Sequence, residues 1–393
     1  MKQPAMASLY LHIPFCEHKC IYCDFYSIAP KESPTEHHSL VERFLRALKG
    51  EVALRAGEER FHVSYETIFF GGGTPSLLSP SNIAEILDTL SRSFPIEPGA
   101  EITLETNPGT VDRRKLKEFR AAGVNRLSMG IQSFHDDDLK FLSRIHSSDQ
   151  AKQCVRDAYD AGFENVSFDL IFALPSQTPA RWRSNLEQAV GLSPTHISCY
   201  SLIVEPNTPL FRMVESKQVS TLNAEDDATL YEMTMDVLAR HGFEQYEVSN
   251  FAQPGFRSRH NANYWNHSNY LGLGPSAHSF WSDDQLIRSA KRWWNISNVV
   301  GYSERVEHGT LPVAGEETLV SSQLIDEAIL LGLRADGIDV AGFRRRYGGG
   351  FFEEHGARIA ELERENLAVL EGERLRLTPK GYLLCDEICL SLR

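Results

Sequence analysis

Cys16, Cys20 and Cys23 stand as C-x3-C-x2-C within Cys16-Glu17-His18-Lys19-Cys20-Ile21-Tyr22-Cys23. This spacing lets one short loop aim three thiolates at a common point, as an iron–sulfur cluster requires. A cubic four-iron cluster normally takes four cysteines, so three leave one iron open to another ligand. An open iron implies chemistry or ligand exchange rather than electron storage alone. Two other readings suit the same residues. Three thiolates with His18 or His12 would complete a tetrahedral zinc site, and free cysteines are often plain buried residues.

The elements around this loop must position it. Leu9–Ile13 reads as a short strand leading into the cysteines. A polar loop, Pro30-Lys31-Glu32-Ser33-Pro34, precedes a helix over about Ser39–Arg55. Thr67–Phe70 is an apolar strand ending in Gly71-Gly72-Gly73, and Ser79-Pro80 starts a helix, with serine as cap and proline in the first turn. The rhythm continues with strands at Glu101–Thr106, Arg126–Ile131, Val166–Phe172 and His196–Leu202. Helices at Thr110–Ala122, Asp136–Leu142 and Asp149–Ala161 and one after Thr178-Pro179 lie between them. Six strands alternating with helices predict an α/β fold with parallel pairing and helices outside. The period alone fits an open doubly wound sheet, a barrel or a partial barrel. Polar groups recur at the strand ends: Gly71–Thr74 after the second, Glu105 at the close of the third, Gln132 of the fourth, and Asp169 within the fifth. Barrel enzymes keep their working residues at these ends. Gly71-Gly72-Gly73-Thr74-Pro75 lacks the dinucleotide spacing, but its glycines permit close backbone approach and an amide nest for a carboxylate- or amine-bearing group.

Composition excludes several classes. The chain has 393 residues, 42% of them apolar, and a net charge of −13. That balance argues against a general nucleic-acid or anionic-membrane surface. Seven cysteines form no secreted disulfide framework. Cys154, Cys199, Cys385 and Cys389 sit in apolar or helical contexts and read as core. Met1 to Met6 carries no long apolar run, Leu9–Phe15 is too short for a signal core, and no stretch approaches a membrane span. A cytoplasmic protein is the expectation.

Past residue 210 the rhythm changes. Ala224–Arg240 is an amphipathic helix, Gln245–Val248 a strand added to the same sheet, and Pro312–Glu317 a linker. The last 70 or so residues read as a small unit. It has helices at Leu324–Arg334, Val340–Tyr347 and Ala357–Glu365, two short strands at Ala368–Leu370 and Leu375–Leu377, and a final helix capped by Thr378-Pro379. Helices followed by a hairpin resemble a winged helix. Its wing, with Glu371, Glu373, Arg374 and Arg376, has no basic excess, which favours a structural or interaction role over nucleic-acid binding.

A cysteine loop after the first strand, a glycine motif after the second and a six-fold β/α rhythm together resemble the radical S-adenosylmethionine (SAM) enzymes. More closely, Tyr10-Leu11-His12-Ile13-Pro14-Phe15-Cys16, Phe70–Ser76, Ser128–Phe134 and Asp169-Leu170-Ile171 resemble oxygen-independent coproporphyrinogen III oxidase (a dehydrogenase) and its relatives. The resemblance implies a partial (β/α)6 TIM-like barrel with a small C-terminal α+β winged-helix-like domain. It implies a 4Fe-4S cluster on Cys16, Cys20 and Cys23, with the amino and carboxylate groups of SAM on the open iron. It places Tyr10 and Tyr22 beside the cluster and SAM, and Gly72, Gly73 and Thr74 along the methionine end. Glu105, Gln132, Arg144 and Asp169 would contact SAM, with Ile203 and His278 nearby. In that family the cluster donates an electron that splits the sulfonium, so the cofactor supplies the difficult chemistry and the protein the placement.

Two departures separate the chain from the dehydrogenase. The fourth cysteine of that enzyme, two residues after the third, is here Phe25, and Cys16 comes too early for its N-terminal segment. Both features are similar to the HemW-type heme chaperones, which carry an H-N-x-x-Y-W motif associated with heme, here His260-Asn261-Ala262-Asn263-Tyr264-Trp265. The resemblance implies His260 as an axial ligand for heme iron, with Tyr264 and Trp265 packed against the macrocycle. A turn-capping histidine beside core aromatics, an interaction surface or a hinge would use the same residues. The expected organisation is a radical SAM core over 1–240, a sheet extension with the H-N-x-x-Y-W motif over 241–320, and a helical, winged-helix-like domain over 321–393. The expected function is heme binding and transfer to an acceptor protein; the alternative is radical SAM oxidative decarboxylation of coproporphyrinogen III. A zinc-stabilised interaction protein without either cofactor is the third reading. An electron donor and a homodimer are compatible with the resemblance.

Overall fold

Six strand–helix units run in order through the first 200 residues of the computed structural model, which describes residues 6–30, 34–283, 288–348 and 350–392. The first five residues and the centre of the polar loop at 31–33 lie outside that range. The strands are β1 (Met6–Ile13), β2 (Ser64–Gly72), β3 (Ile96–Thr106), β4 (Arg126–Gln132), β5 (Asn165–Phe172) and β6 (His196–Ser201). Between them come α1 (Pro34–Ala56), α2 (Pro80–Ser93), α3 (Arg113–Ala122), α4 (Asp136–Phe141), α5 (Ser148–Asp160) and α6 (Pro179–Gly191). Neighbouring strands from β1 to β6 all pair in parallel. Ser79 caps α2 through a capping box with Asn82. The third helix starts later than the sequence suggests. Asp112 is its cap, accepting the Lys115 N–H at 2.8 Å, while Thr110 is occupied by the Ser76 hydroxyl and the Asn107 carbonyl.

The remaining elements are α7 (Pro209–Glu215), α8 (Ala224–Arg240), β7 (Glu244–Gln245), β8 (Asn250–Ala252), α9 (Arg259–Trp265), β9 (Asn269–Leu273), β10 (His278–Trp281), β11 (Ser289–Asn295), α10 (Val299–Glu307) and β12 (Val313–Val320). They extend both edges of the same sheet, whose order is β12-β11-β10-β9-β1-β2-β3-β4-β5-β6-β8-β7. The barrel is therefore partial, with β12 and β7 as free edges. Gln245–Val248 is not one strand. The chain turns at Glu247, which takes the Ser249 N–H on its side chain and the Asn250 N–H on its carbonyl, and pairing resumes at Asn250. Pro312–Glu317 is not a linker either. Val313–Val320 pairs antiparallel with β11 as the outermost strand.

Alternation along β1–β6 sets what the barrel can do. Leu9, Leu11, Ile68, Phe70, Leu104, Leu127, Met129, Val166, Phe168, Leu170 and Ile197 point outward into one core shared with the helices. The opposite set (Tyr10, Phe69, Glu105, Arg126, Ser128, Asp169, Ser198, Tyr200) lines the interior. A lumen with this many polar walls is a site rather than a packed core.

The C-terminal unit comprises α11 (Ser321–Arg334), β13 (Ile338–Asp339), α12 (Val340–Tyr347), α13 (Gly350–Arg364), β14 (Ala368–Glu371), β15 (Arg374–Leu377), α14 (Pro379–Tyr382) and α15 (Cys385–Ser391). Its three strands form a separate sheet, β13-β15-β14, over a second core that includes Leu333, Phe343, Leu362, Leu375, Cys385 and Cys389. Arg346 of this unit donates to the carbonyls of Asn266 and His267, just past α9. No helix among the described residues is long and apolar enough to cross a membrane.

Candidate functional site

The cysteine loop is held to the barrel by backbone groups. Cys16 N–H donates to the Ile28 carbonyl at 2.9 Å and Ile28 N–H to the Pro14 carbonyl at 2.7 Å, which closes the loop at its base. His12 ties it down again: its Nε2 bonds the Tyr26 carbonyl at 2.7 Å and its Nδ1 the Tyr10 hydroxyl at 3.1 Å. With both ring nitrogens so used, His12 is not free to complete a zinc site.

The glycine motif is the other half of this clamp. Gly73 N–H donates to the Ile13 carbonyl at 2.8 Å and Thr74 N–H to the Phe15 carbonyl at 2.7 Å. A β-carbon on Gly73 would meet the Phe15 carbonyl oxygen at 2.6 Å and the Ile13 oxygen at 2.9 Å, so only glycine allows this approach. Gly72, at φ +109°, turns its N–H to Glu105 Oε2 at 3.2 Å. These three amides serve the protein's own carbonyls and carboxylate. The amide nest read from the sequence is thus occupied by the scaffold itself.

Cys16, Cys20 and Cys23 all line the mouth of one cavity of about 650 Å³. The Thr74 hydroxyl donates to Cys16 Sγ and Arg144 Nη1 to Cys20 Sγ, each at 3.6 Å. Burial raises the Cys16 thiol and pushes Cys23 up to about 11, so in the metal-free chain both are protonated and metal loading must release their protons. Among the described residues no three His, Cys, Asp or Glu side chains close on one ion-sized point. A tetrahedral zinc site needs that, with Zn–S near about 2.3 Å. A cluster puts each thiolate on a different iron, and an all-sulfur donor set with a hydroxyl and a guanidinium donating to two of the sulfurs suits it. The loop fits the cluster.

The sequence-predicted SAM residues mostly converge. Tyr10, Tyr22, Gly72, Gly73, Thr74, Glu105, Gln132, Arg144, Asp169 and Ile203 all line the same cavity. Arg144 is fixed by donating Nη2 to the Gly130 carbonyl at 2.8 Å. Gln132 closes β4 in a left-handed conformation, φ 66°. Burial, and then the nearby charge of Asp169, pushes the Glu105 carboxyl up to about 8. Burial also lifts Asp169 to about 6, against hydroxyls of Ser198 and Ser128 and the charges of Arg126 and Arg144. Near neutral pH Glu105 therefore carries a proton that a cationic ligand would displace. His278 stands apart: it is exposed at the start of β10, stacks on Trp294 and lies outside the cavity lining.

The H-N-x-x-Y-W segment is α9, which lies across the inner face of β1 and β2 and forms the floor of the barrel. Glu101 accepts the N–H groups of Arg259 and His260, neutralising the helix start. Asn263 donates to Ser8 and Glu66. His260 is 1% exposed, bonded through Nδ1 to the Thr67 hydroxyl at 2.7 Å and through Nε2 to the Tyr264 hydroxyl at 2.9 Å, and stacked on Phe69. Burial pushes it down to about 3, so it is neutral. Neither nitrogen faces the cavity as an open axial ligand; the residue of the motif that does reach the lining is Asn261. Trp265 is half-buried and outside that lining.

Sequence analysis singled out neither Arg126, Ser198 and Tyr200 nor, within the motifs it quoted, Ser128 and Asn261, all cavity-lining. Parity would have found most of them: Arg126 and Ser128 share the face of Gln132 on β4, and residues pairing with Asp169 across β5 and β6 include Ser198. At the mouth stand Phe25 and Ile203, 64% and 66% exposed.

Residues 10–189 match the radical SAM superfamily model and residues 321–384 the HemN C-terminal domain. The chain is 33% identical to the heme chaperone HemW of Bacillus subtilis over 98% of each chain. It is 40% identical to that of Escherichia coli over 72% of this chain and 73% of the other. Among solved structures, the coproporphyrinogen III oxidase HemN of Escherichia coli superposes with a TM-score of 0.81. That match covers 99% of this chain and 90% of the other at 23% identity, and speaks for the fold. With a cluster loop that fits and relatives of this identity along its whole length, the chain belongs to the radical SAM superfamily and, within it, to the HemW family.

Proposed function

We propose that the protein is a heme chaperone: it binds heme and passes it to an acceptor protein, with a 4Fe-4S cluster and SAM built into the same barrel. What carries this reading is the near-full-length identity to proteins named heme chaperone HemW. Phe25 in place of a fourth cysteine agrees with it. Cys16, Cys20 and Cys23 would hold the cluster. Arg144, Glu105, Gln132 and Asp169 would hold SAM, whose sulfonium supplies a reducible bond when it is bound. The protein's own contribution is placement: the Gly73–Thr74 clamp fixes the loop, and Glu105 gives up its proton to a cationic ligand beside Asp169.

The heme ligand is the part of this reading that geometry constrains most. Axial ligation by His260 requires its bond to Thr67 or to Tyr264 to open and the freed nitrogen to turn to the cavity, which asks α9 to shift. The C-terminal unit holds the residues just after α9 through Arg346, so a partner engaging that unit is placed to favour such a shift. An external electron donor and a homodimer belong to the proposal and have their own tests, cluster reduction and solution mass.

Heme titration of anaerobically reconstituted protein, followed by the Soret band, tests the central claim: saturable one-to-one binding is expected, and its absence removes it. Incubation with coproporphyrinogen III, SAM and a reductant tests the alternative. Formation of protoporphyrinogen IX would make the protein a dehydrogenase.

A further inference from the structure

Arg126 is a cation on the floor of the cavity, and among the described residues no carboxylate pairs with it. It opens β4, is 1% exposed and lines the cavity. Its Nε has no hydrogen-bond partner, and no carboxylate lies within 4.0 Å of it among the described residues. The acidic neighbours are engaged elsewhere: Glu105 takes the Gly72 N–H at 3.2 Å, and Asp169 takes the Ser128 hydroxyl at 3.1 Å on each oxygen. His260 is neutral in its own bonds, and so is His196, held between Ser167 at 2.7 Å and Tyr246 at 2.8 Å. A buried guanidinium with no carboxylate in hydrogen-bond contact is costly. The cost is recovered when a ligand brings a carboxylate, which the planar guanidinium fork engages bidentately.

Depth separates this position from the mouth, although its charge still reaches Glu105 and Asp169. Arg126 and Gln132 are the first and last of the seven residues of β4. At about 3.3 Å per residue the strand ends lie about 20 Å apart. SAM's own carboxylate belongs on the open iron at the mouth, beside the cysteines. We propose that Arg126 anchors a second carboxylate on the cavity floor, a propionate of the tetrapyrrole cargo, in a subsite below the mouth where SAM's own carboxylate sits. This rests on the chaperone reading above, and it gives that reading a polar contact that α9 leaves open.

The test uses full-length protein with its cluster reconstituted, in wild-type, Arg126→Met and Arg126→Lys forms. Each is titrated with hemin and with hemin dimethyl ester, whose propionates are blocked, and SAM binding is measured by equilibrium dialysis. A charge-assisted carboxylate contact predicts that the wild type favours hemin over the ester by about 10- to 100-fold. Arg126→Met loses that factor for hemin and binds both alike, Arg126→Lys recovers part of it, and SAM affinity stays within about twofold throughout. A preference for hemin that survives in Arg126→Met overturns the proposal. So does a parallel loss of SAM binding, which would assign Arg126 to SAM's carboxylate. Equal binding of hemin and ester by the wild type also overturns it, without harm to the chaperone reading. No saturable hemin binding at all overturns both. If Arg126→Met holds less cluster than the wild type, the wild-type comparison of hemin with its ester and the Lys variant decide.

Discussion

Gly73→Ala is the sharpest perturbation the clamp offers. The added methyl would sit 2.6 Å from the Phe15 carbonyl oxygen, 2.9 Å from that of Ile13 and 3.0 Å from the Phe15 carbonyl carbon. All three are backbone atoms in a loop already closed at its base, so no rotamer change relieves the contact. Overpacking of this kind costs about 1–3 kcal/mol. Pushing the loop off β2 also breaks the Gly73 and Thr74 hydrogen bonds, at about 1 kcal/mol each. The total, about 3–5 kcal/mol, falls on docking of the cysteine loop rather than on the main core. At about 1.4 kcal/mol per decade it disfavours the assembled loop by roughly two to three and a half decades. The readout is iron and sulfide per chain after anaerobic reconstitution, together with the rate at which a chelator strips the cluster. Gly73→Ala should load poorly and bleach fast while far-ultraviolet circular dichroism stays native. Gly191→Ala, where the β-carbon meets nothing within 4 Å, is the control and should behave as wild type. A Gly73→Ala protein with full iron and sulfide and wild-type chelator resistance would refute the clamp.

Other outcomes follow from the same cavity. SAM affinity should rise with pH and level off near the Glu105 value of about 8, because a cationic ligand favours the ionised carboxylate that burial disfavours; Glu105→Gln should bind more weakly at high pH and lose that part of the slope, and an unchanged slope refutes the assignment. His260→Ala removes the Thr67 and Tyr264 partners from a fully buried site, and should destabilise the protein by about 2–4 kcal/mol in denaturant titration. A loss under about 0.5 kcal/mol would show that the ring does not hold α9 in place, and a heme spectrum unchanged in this variant would rule out axial ligation by His260. Arg144→Met deletes the cation 3.6 Å from Cys20 Sγ and should lower the cluster reduction potential by on the order of tens of millivolts in spectroelectrochemical titration; an unchanged or raised potential speaks against it.

The cysteine loop and the parallel strands of the barrel were legible from local signals, a spacing and an alternation, and ten of the eleven residues that the resemblance proposes for SAM do line the cavity, Glu105, Gln132 and Asp169 among them as polar groups on strands. The place of His278 was not legible, since whether a residue after a turn faces the cavity depends on a register set by β9 and β11. β12 hid for a different reason. It is an edge strand paired on one side, with Glu316 and Glu317 exposed, so it lacks the half-apolar alternation that marks a buried strand and carries the charges that keep an edge from pairing further. Arg126 hid because a lone cation at a strand start reads as a solvated terminus. Its burial is shared with groups far along the chain, His196, Tyr246 and His260, which all feel its charge. His260 could be named from its motif, but that both its nitrogens are taken depends on Thr67 in β2, a contact no local pattern carries.

The helix that stoppers the barrel also imposes a sequence in time. With α9 across the lower end, traffic passes the mouth, between the cysteine loop and the exposed side chains of Phe25 and Ile203. A ligand seated against the floor must arrive before, and depart after, anything lodged on the open iron above it. Occupancy at the mouth would then govern residence below: excess SAM should slow the escape of a pre-bound tetrapyrrole and, added first, slow its arrival. Such a vessel works as a timer for its contents.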